Sequence, residues 1–590
     1  MSWNQIIDPF NNIAISAFIS VLPIIFIFWA LIIKKMKGYK ASLIAMVFAI
    51  AIAVLIYGMP LELALISSTS GTLYGMFPIC WIVITAVFLF NMTVESGQFE
   101  VIKHFMASIT SDRRLQAILI AFSFGSFLEG MAGFGAPVAI TAAMLVGLGF
   151  NPLYAAGICL IANTAPVAFG SIGIPITVAS KVSEIPEMII SQMVGRTLPI
   201  ISLIIPFYLV VIMSGFKKAV EVLPAILVSG ISFALLQFLT SNFIGPELPD
   251  IIAGVGSIVS LVIFLKYWKP KSIWRFSDEA LPDEKRKVFY SKLELMKAWS
   301  PFILLTVVII FWGLLPVKKV LDFIGMVEFK IPGLHEKIID INGNGIPHIF
   351  KFNSLSAAGT GIFMAALLAI PLIGLSYKSA AKIFFSTIKQ LKFAIITIAT
   401  IMGFAYIVND SGMTTTMAET LAKTGFLFPF FAPILGWLGV FITGSDTSSN
   451  ALFGKLQANT ATSIGVDPVV TVAANVSGGV VGKMISPHSI AVAAAAGGLV
   501  GRESDLFRFT LKHSFILLIF VCLIVLSQAY LFDWIVPKYE LTDTIVEKLS
   551  SELTNGYIYL CVLGLLVTAF VSYILISNKL NNKKIKYPKD

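Results

Sequence analysis

The chain has 590 residues, of which 57% are hydrophobic and only 13% charged, with a net charge of +10 and a mean hydropathy of +0.90. An ordinary soluble domain carries about 25% charged residues, so this composition excludes one and places the chain in a lipid bilayer. The positive balance does not point to nucleic acid, because Lys and Arg cluster between the apolar runs.

In chain order, MSWNQIIDPFNN carries no Lys or Arg ahead of the first apolar run, Ile13 to Ile33, and so lacks the charged start of a cleavable signal peptide. Further uninterrupted apolar runs are Leu198 to Met213, Ile251 to Leu265, Phe515 to Phe532 and Tyr557 to Ile576. With shorter and broken segments the sequence predicts roughly 13 to 15 membrane elements, each full span needing about 20 apolar residues. Basic groups follow the first run at Lys34, Lys35, Lys37 and Lys40 and recur at Arg113-Arg114, Lys217-Lys218, Lys266 to Lys297 and Lys579 to Lys589. The positive-inside rule makes these cytoplasmic, giving an outside N-terminus, a cytoplasmic C-terminus and residence in the cell membrane. Cys80, Cys159, Cys522 and Cys561 stand singly in apolar sequence and read as small buried hydrophobes.

The chain repeats an unusual pattern at offsets of 312 to 316 residues. Glu95-Ser96-Gly97 returns as Asp410-Ser411-Gly412, Phe127 to Gly130 as Phe441 to Gly444, and Gly149 to Pro152 as Gly465 to Pro468. Ala162-Asn163 returns as Ala474-Asn475, and GSIGIP (170–175) as GKMISP (482–487). Repeats that interrupt membrane-grade sequence with Gly, Pro and polar residues mark discontinuous helices around a midplane site. The fold class is therefore an all-α polytopic membrane protein of two inverted-topology repeats with discontinuous helices or re-entrant hairpins. Residues 1–265 form the first half, with repeat 1 at about 73–213, and 299–590 the second, with repeat 2 at about 390–534. Loop 266–298, with nine basic and five acidic side chains, is expected to be cytoplasmic, and turn-rich loop 316–356 external, both as solvated connectors.

The chemistry concentrates in four polar breaks. EGMAGFGAP (129–137) frees the backbone at Gly133 and Gly135, and Pro137 opens the next half-helix. TGSDTSSN (443–450) offers Ser445 and Asp446 as candidate caps or ligand contacts. The last two breaks follow Asn163-Thr164 and Asn475 and end in Pro175 and Pro487, with Ser486 as an N-cap. Half-helix N-termini present unpaired donors and partial positive charge, which suits a small anion. Lys483, an ammonium in apolar, glycine-rich sequence, reads either as a carboxylate ligand or as an ion-pair partner of Asp446 or Glu129. Glu129 and Asp446 are candidate proton carriers, with Glu129 as an internal cap and Asp446 as an N-cap the structural alternatives. His488 is a packing residue or a proton relay. Asn163, Thr164 and Asn475 fit a substrate or sodium site and equally helix–helix hydrogen bonding. No motif of a membrane-embedded enzyme, metal site or cofactor stands in the spans.

The runs 129–157, 163–175, TGSDTSSNALF (443–453), GKMISPHSIAVA (482–493) and GRESDLFRFTLKHS (501–514) resemble the lactate permease family of bacterial carriers. The resemblance implies uptake of L-lactate, and in relatives D-lactate or glycolate, by proton symport. It also implies kinship with the ion transporter superfamily and its elevator-like movements. The family usually has glutamine at position 488 and threonine at 136, where this chain has His488 and Ala136. The implied partners are a small monocarboxylate, a proton and the bilayer, with an oligomer compatible. A sodium-coupled or dicarboxylate carrier of the same superfamily is the alternative.

Overall fold

A computed structural model of the chain describes residues 2–34, 36–131, 133, 135–276, 290–341, 343–499, 502–539 and 549–586. After the short strand β1 (Trp3–Asn4), the first half builds α1 (Ile13–Phe28), α2 (Gly38–Leu55), α3 (Leu61–Tyr74) and α4 (Trp81–Glu95), the last two joined by a π-helical turn. Next come α5 (Gln98–Ser108), α6 (Arg113–Gln116), α7 (Gly125–Met131), α8 (Ala136–Gly147), α9 (Pro152–Ala162) and α10 (Gly170–Ser183). The long α11 (Glu187–Ser214), then α12 (Phe216–Glu221), α13 (Leu223–Phe243) and α14 (Pro249–Tyr267) complete it.

The second half opens with α15 (Lys292–Gly313), whose start is fixed by a capping box between Ser291 and Glu294. It continues with α16 (Leu315–Gly325), the strands β2 (Met326–Lys330), β3 (Ile338–Ile339) and β4 (Ile349–Asn353), and α17 (Ala358–Ala369). Then follow α18 (Tyr377–Asp410), α19 (Met413–Ala422), α20 (Phe428–Thr443), α21 (Asp446–Ser463), α22 (Pro468–Lys483), α23 (Pro487–Gly497), α24 (Glu503–Tyr530) and α25 (Leu549–Lys586). Among the described residues, 11 helices are long and apolar enough to cross a membrane, or 12 if α9 and α10, bent by 64°, count as one span. Three shorter apolar helices accompany them, in keeping with the number of elements expected.

The sequence repeat is a repeat of local structure. Gly97 and Gly412 both take left-handed φ, 74° and 87°, where α4 turns into α5 and α18 into α19. Asn151 and Asp467 each cap the helix that their following proline opens, accepting from the amides of Leu153 at 3.0 Å and Val469 at 2.9 Å. The matched helices α11 and α24 are both 28 residues long.

Two apolar cores hold the helices. One joins α1–α7, α12, α15, α17–α19 and α25; the other joins α8, α9, α20 and α22–α24; α10, α11, α13, α14 and α21 contribute to both. The most apolar window of the span Pro468–Gly497 is 100% buried although its hydropathy, 1.4, is the lowest of the spans, and every residue of α22 from Val469 to Lys483 is buried, so α22 is surrounded by protein rather than lipid. In hydrocarbon, broken backbone is tolerable only under such cover. Cys80, Cys159 and Cys522 are buried as expected, but Cys561 is exposed because α25 packs only one face, against α15 and α16.

The basic connections meet on one face. Arg114 donates to the Glu221 carboxylate and the Ser272 carbonyl, both at 2.9 Å, and lies 2.7 Å from Asp112. Lys218 and Arg114 together hold the Glu221 carboxyl below its usual range. The described part of loop 266–298 is anchored rather than solvated, with the Trp274 amide on Asp112 at 3.0 Å and Phe276 against Phe150. Residues 277–289 of that loop lie outside the described residues.

Loop 316–356 folds instead of only connecting. β2 and β4 pair antiparallel from Met326↔Asn353 to Lys330↔Ile349, and β1 lies parallel to β3. Phe350 packs on Tyr74 of α3, and Tyr74 donates to the Ile349 carbonyl. His348 Nε2 meets Asp410 Oδ2 at 3.0 Å, and the same oxygen accepts from Ser67 Oγ at 2.6 Å.

Burial works against charge on the His348 ring, but the Asp410 carboxylate outweighs it and holds the imidazolium above the usual histidine range. The stabilisation this gives is complete below the unfolded value of about 6.5 and is lost as pH rises through the raised folded value. Loop 326–353 should therefore become more sensitive to protease as pH rises above about 6.5. In His348→Ala that pH dependence should vanish, and an unchanged pH profile in the variant would refute the assignment.

Candidate functional site

The four breaks surround a cavity of about 390 Å³ between the two cores. From the repeats it is lined by Glu129, Gly170, Ser171, the run Ile442 to Ser448, Lys483, Pro487 and His488. Met36 and Gly38 at the start of α2, and Ala394, Thr397 and Ile398 of α18, close the other wall.

Glu129 is at the end of α7 and only 3% exposed. Its Oε2 accepts from Asn163 Nδ2 at 2.9 Å, so the asparagine that ends α9 orients the acid. Room for the carboxyl depends on a missing side chain, since a Cβ on Gly170 would stand 2.8 Å from Glu129 Oε1. Downstream, Ser171, Ile172 and Gly173 take φ of 49°, 60° and 74° in succession. The left-handed region costs about 1 to 2 kcal/mol per non-glycine residue, and a β-branched isoleucine there is exceptional. This local strain is stored beside the cavity and turns Ser171 onto its wall.

In the second repeat, Ser445 rather than Asp446 is the N-cap of α21, accepting from the Ser448 amide at 3.3 Å. Asp446 is the first helical residue, where a carboxylate suits the helix dipole, and its Oδ2 is 3.5 Å from Asn450 Nδ2. The α20–α21 break is therefore capped without using the acid, which is left to the cavity. Ser486 caps α23 as expected, accepting from the Ser489 amide at 3.2 Å.

Lys483 donates to the Gly444 carbonyl, the C-cap of α20, at 2.9 Å. An ammonium there offsets the negative end of the α20 dipole. Its charge acts on both Glu129 and Asp446, yet among the described residues no carboxylate reaches ion-pair distance from it. The contact ion pair offered by the sequence is not formed. The cation is shared between two acids and keeps hydrogen-bonding capacity for a ligand.

The other expected residues stand around this arrangement. Gly133 and Gly135 shape the first break, and a Cβ on Gly135 would be 3.6 Å from His488 Nε2, so the histidine sits across from it. Asn475 lies one layer back, donating to Asn450 Oδ1 at 2.9 Å and accepting from Gln457 Nε2 at 3.2 Å; Asn450 in turn holds the Pro175 carbonyl at 3.1 Å. Thr164 is fully buried and, like Asn163, Asn475, Ser486, Gly133 and Gly135, is not on the cavity wall. Each repeat thus sends one asparagine to an acid or amide at the neighbouring break, which is hydrogen bonding between helices.

Sequence reasoning passed over Asn450, Gln457 and Asp250. Asp250 opens α14, is fully buried, and would meet a Cβ on Gly130 at 2.8 Å. An acid before the first apolar residue of a span was the available signal. Among the described residues no group of His, Cys, Asp and Glu could hold a metal ion.

Broken helices that enclose charged side chains under apolar cover define a multi-pass membrane transporter. The L-lactate permease family matches residues 16–532, and the chain belongs to that family. It is 55% identical to the L-lactate permease of Bacillus subtilis over 91% of this chain and 100% of that protein. It is 49% identical to the glycolate permease GlcA of Escherichia coli, over 90% and 99% respectively. The YdaH transporter of Alcanivorax borkumensis, a solved structure, aligns with 80% of this chain and 90% of its own at 13% identity and a TM-score of 0.43.

The cap assignment is testable by thermal unfolding of the purified protein. Ser445→Ala should cost about 1 kcal/mol through the lost cap, whereas Asp446→Asn should leave the cap intact. Equal destabilisation by both would return the capping role to Asp446.

Proposed function

We propose that the chain is a secondary transporter of the cell membrane that takes up L-lactate, and with it D-lactate and glycolate, together with a proton. Relatives named for L-lactate and for glycolate, matched over nearly their whole length, support this substrate class. The observation that carries the mechanism is the Lys483 ammonium, set in the fields of Glu129 and Asp446 on the wall of a cavity between two cores.

The lactate carboxylate docks on Lys483 and on the amide ends of α21 and α23, whose caps Ser445 and Ser486 fix where those amides point. His488 and Thr397 face the rest of the substrate across the cavity. Glu129 carries the coupled proton: a negative charge beside the incoming anion repels it, and protonation removes that charge before lactate enters. With both aboard, the loaded site is easier to move through a low-dielectric barrier than either ion alone. The core containing α20 and α22 then moves against the one containing α2 and α18, an elevator-like alternation.

The two repeats are inverted in the membrane. The face where Arg114, Lys218 and Ser272 meet is cytoplasmic, and the N-terminus and the β2–β4 hairpin are outside, as the positive-inside rule requires. On this orientation the cavity, lined by Met36 and Gly38 from the basic connection between α1 and α2, faces the cytoplasm.

Two measurements in proteoliposomes test the reading. Lys483→Ala should raise the half-saturation concentration for L-lactate about 10- to 100-fold with expression intact, the loss of one charge-assisted hydrogen bond. Unchanged affinity would remove Lys483 from the site. Glu129→Gln should retain exchange of labelled for unlabelled lactate but lose accumulation driven by a pH gradient. Accumulation by this variant with the same pH dependence, or accumulation driven by sodium alone in the unaltered chain, would refute proton coupling through Glu129.

A further inference from the structure

Helix α10 separates two cavities. Its first turns, Gly170 to Pro175, line the central one, and its last, Ser180 to Val182, line a second chamber of about 370 Å³. This outer chamber is roofed by Ile331 and the run Ile346 to Ile349 of the β2–β4 loop and floored by Tyr74, Tyr406 and Asp410. Its volume matches that of the central cavity, yet nothing in the transport scheme above uses it.

The charges around it do not cancel locally. Glu184 on its wall is held by Lys455 at 2.6 Å, and Asp410 by His348 at 3.0 Å. Lys181 is exposed to the chamber, its ammonium 5.7 Å from the centre of the Tyr74 ring, and among the described residues no carboxylate comes within ion-pair distance of it. Lys318 and Lys351 repel it and Glu187 attracts it from neighbouring elements; Lys351 is itself taken up by Glu328 at 3.0 Å. The acids that reach the wall are thus already paired, and the cation that faces the open space is not.

We propose that this chamber is a second binding site for a small carboxylate anion, held by the Lys181 ammonium against Tyr74 under the hairpin, one helix away from the central site. The anion is of the class assigned to the central cavity, so its identity rests on that reading. Lys181 then concentrates substrate at the outer end of α10 before the central site turns to receive it.

The test uses the full chain with its four native cysteines replaced, in proteoliposomes. Ser180→Cys places a thiol on the chamber wall while keeping Lys181, and Ile346→Cys is a second reporter on the roof. Lys483→Ala is added to weaken the central site about 10- to 100-fold, with L-lactate kept below the half-saturation concentration of that weakened site. L-lactate should slow the reaction of either thiol with a membrane-impermeant reagent in this background. Adding Lys181→Ala should raise the half-protecting concentration about tenfold or more, the loss of one charge-assisted contact. Protection seen with Lys483 present and absent in Lys483→Ala would overturn the proposal, because the thiol would then be reporting movement driven from the central site. Lack of protection in a reporter chain that still exchanges lactate when Lys483 is intact would overturn it as well. Failure of the unaltered chain to exchange lactate at all would instead refute the substrate assignment of the central cavity, and the lactate chamber with it.

Discussion

Every unusual feature of this molecule follows from one constraint: a helix interrupted inside a bilayer exposes amides and carbonyls that lipid cannot satisfy. The chain interrupts helices at four places and, among the described residues, satisfies exposed groups there from within. Ser445 and Ser486 take amides at the new starts, and Lys483 takes the Gly444 carbonyl at an end. Asn450 takes the Pro175 carbonyl of the opposite repeat. Because satisfying groups must be close, the breaks converge, and convergence leaves a polar cavity lined by the very donors and charges that made it tolerable. Fold and cavity are here the same solution.

That convergence demands close packing, and glycine supplies it. A Cβ on Gly478 would stand 1.9 Å from the Pro433 carbonyl oxygen, so α22 lies against α20 backbone to backbone. The burial of α22 on every side, despite modest hydropathy, is the cost of shielding the breaks from lipid. The outer helix α25, by contrast, keeps large apolar side chains such as Leu565 and Tyr573 exposed, as a lipid-facing span should.

The breaks were legible because glycine, proline and charge are rare in membrane sequence, and their recurrence in the same order at a nearly constant offset made them visible twice. Glu129, Asp446, Lys483 and His488 do share one cavity. The opposite wall was not legible: Ala394 and Ile398 are ordinary span residues, Met36 is an apolar residue of the basic connection before α2, and only packing brings α2 and α18 to the breaks. Nor was the left-handed turn at Ser171-Ile172, since local preference argues against it and tertiary contacts impose it. The β2–β4 hairpin could have been found. In MVEFK and IFKFN (326–330 and 349–353) apolar and polar residues alternate with period two over most of each run, the pattern of a strand.

The pairing of β1 with β3 joins residues 3–4 to 338–339, and Gln5 Nε2 also donates to the Asp410 carbonyl at 2.8 Å. At ribosomal speeds of 5–20 residues per second, the first strand waits roughly 17 to 70 s before its partner is synthesised. Residues 3–5 therefore meet these partners late, and the partners lie in loop 316–356 and in the second repeat instead of the first. One face of the molecule is sealed only when both halves are complete, so a chain stalled in synthesis before residue 338 is left with its opening strand unpaired.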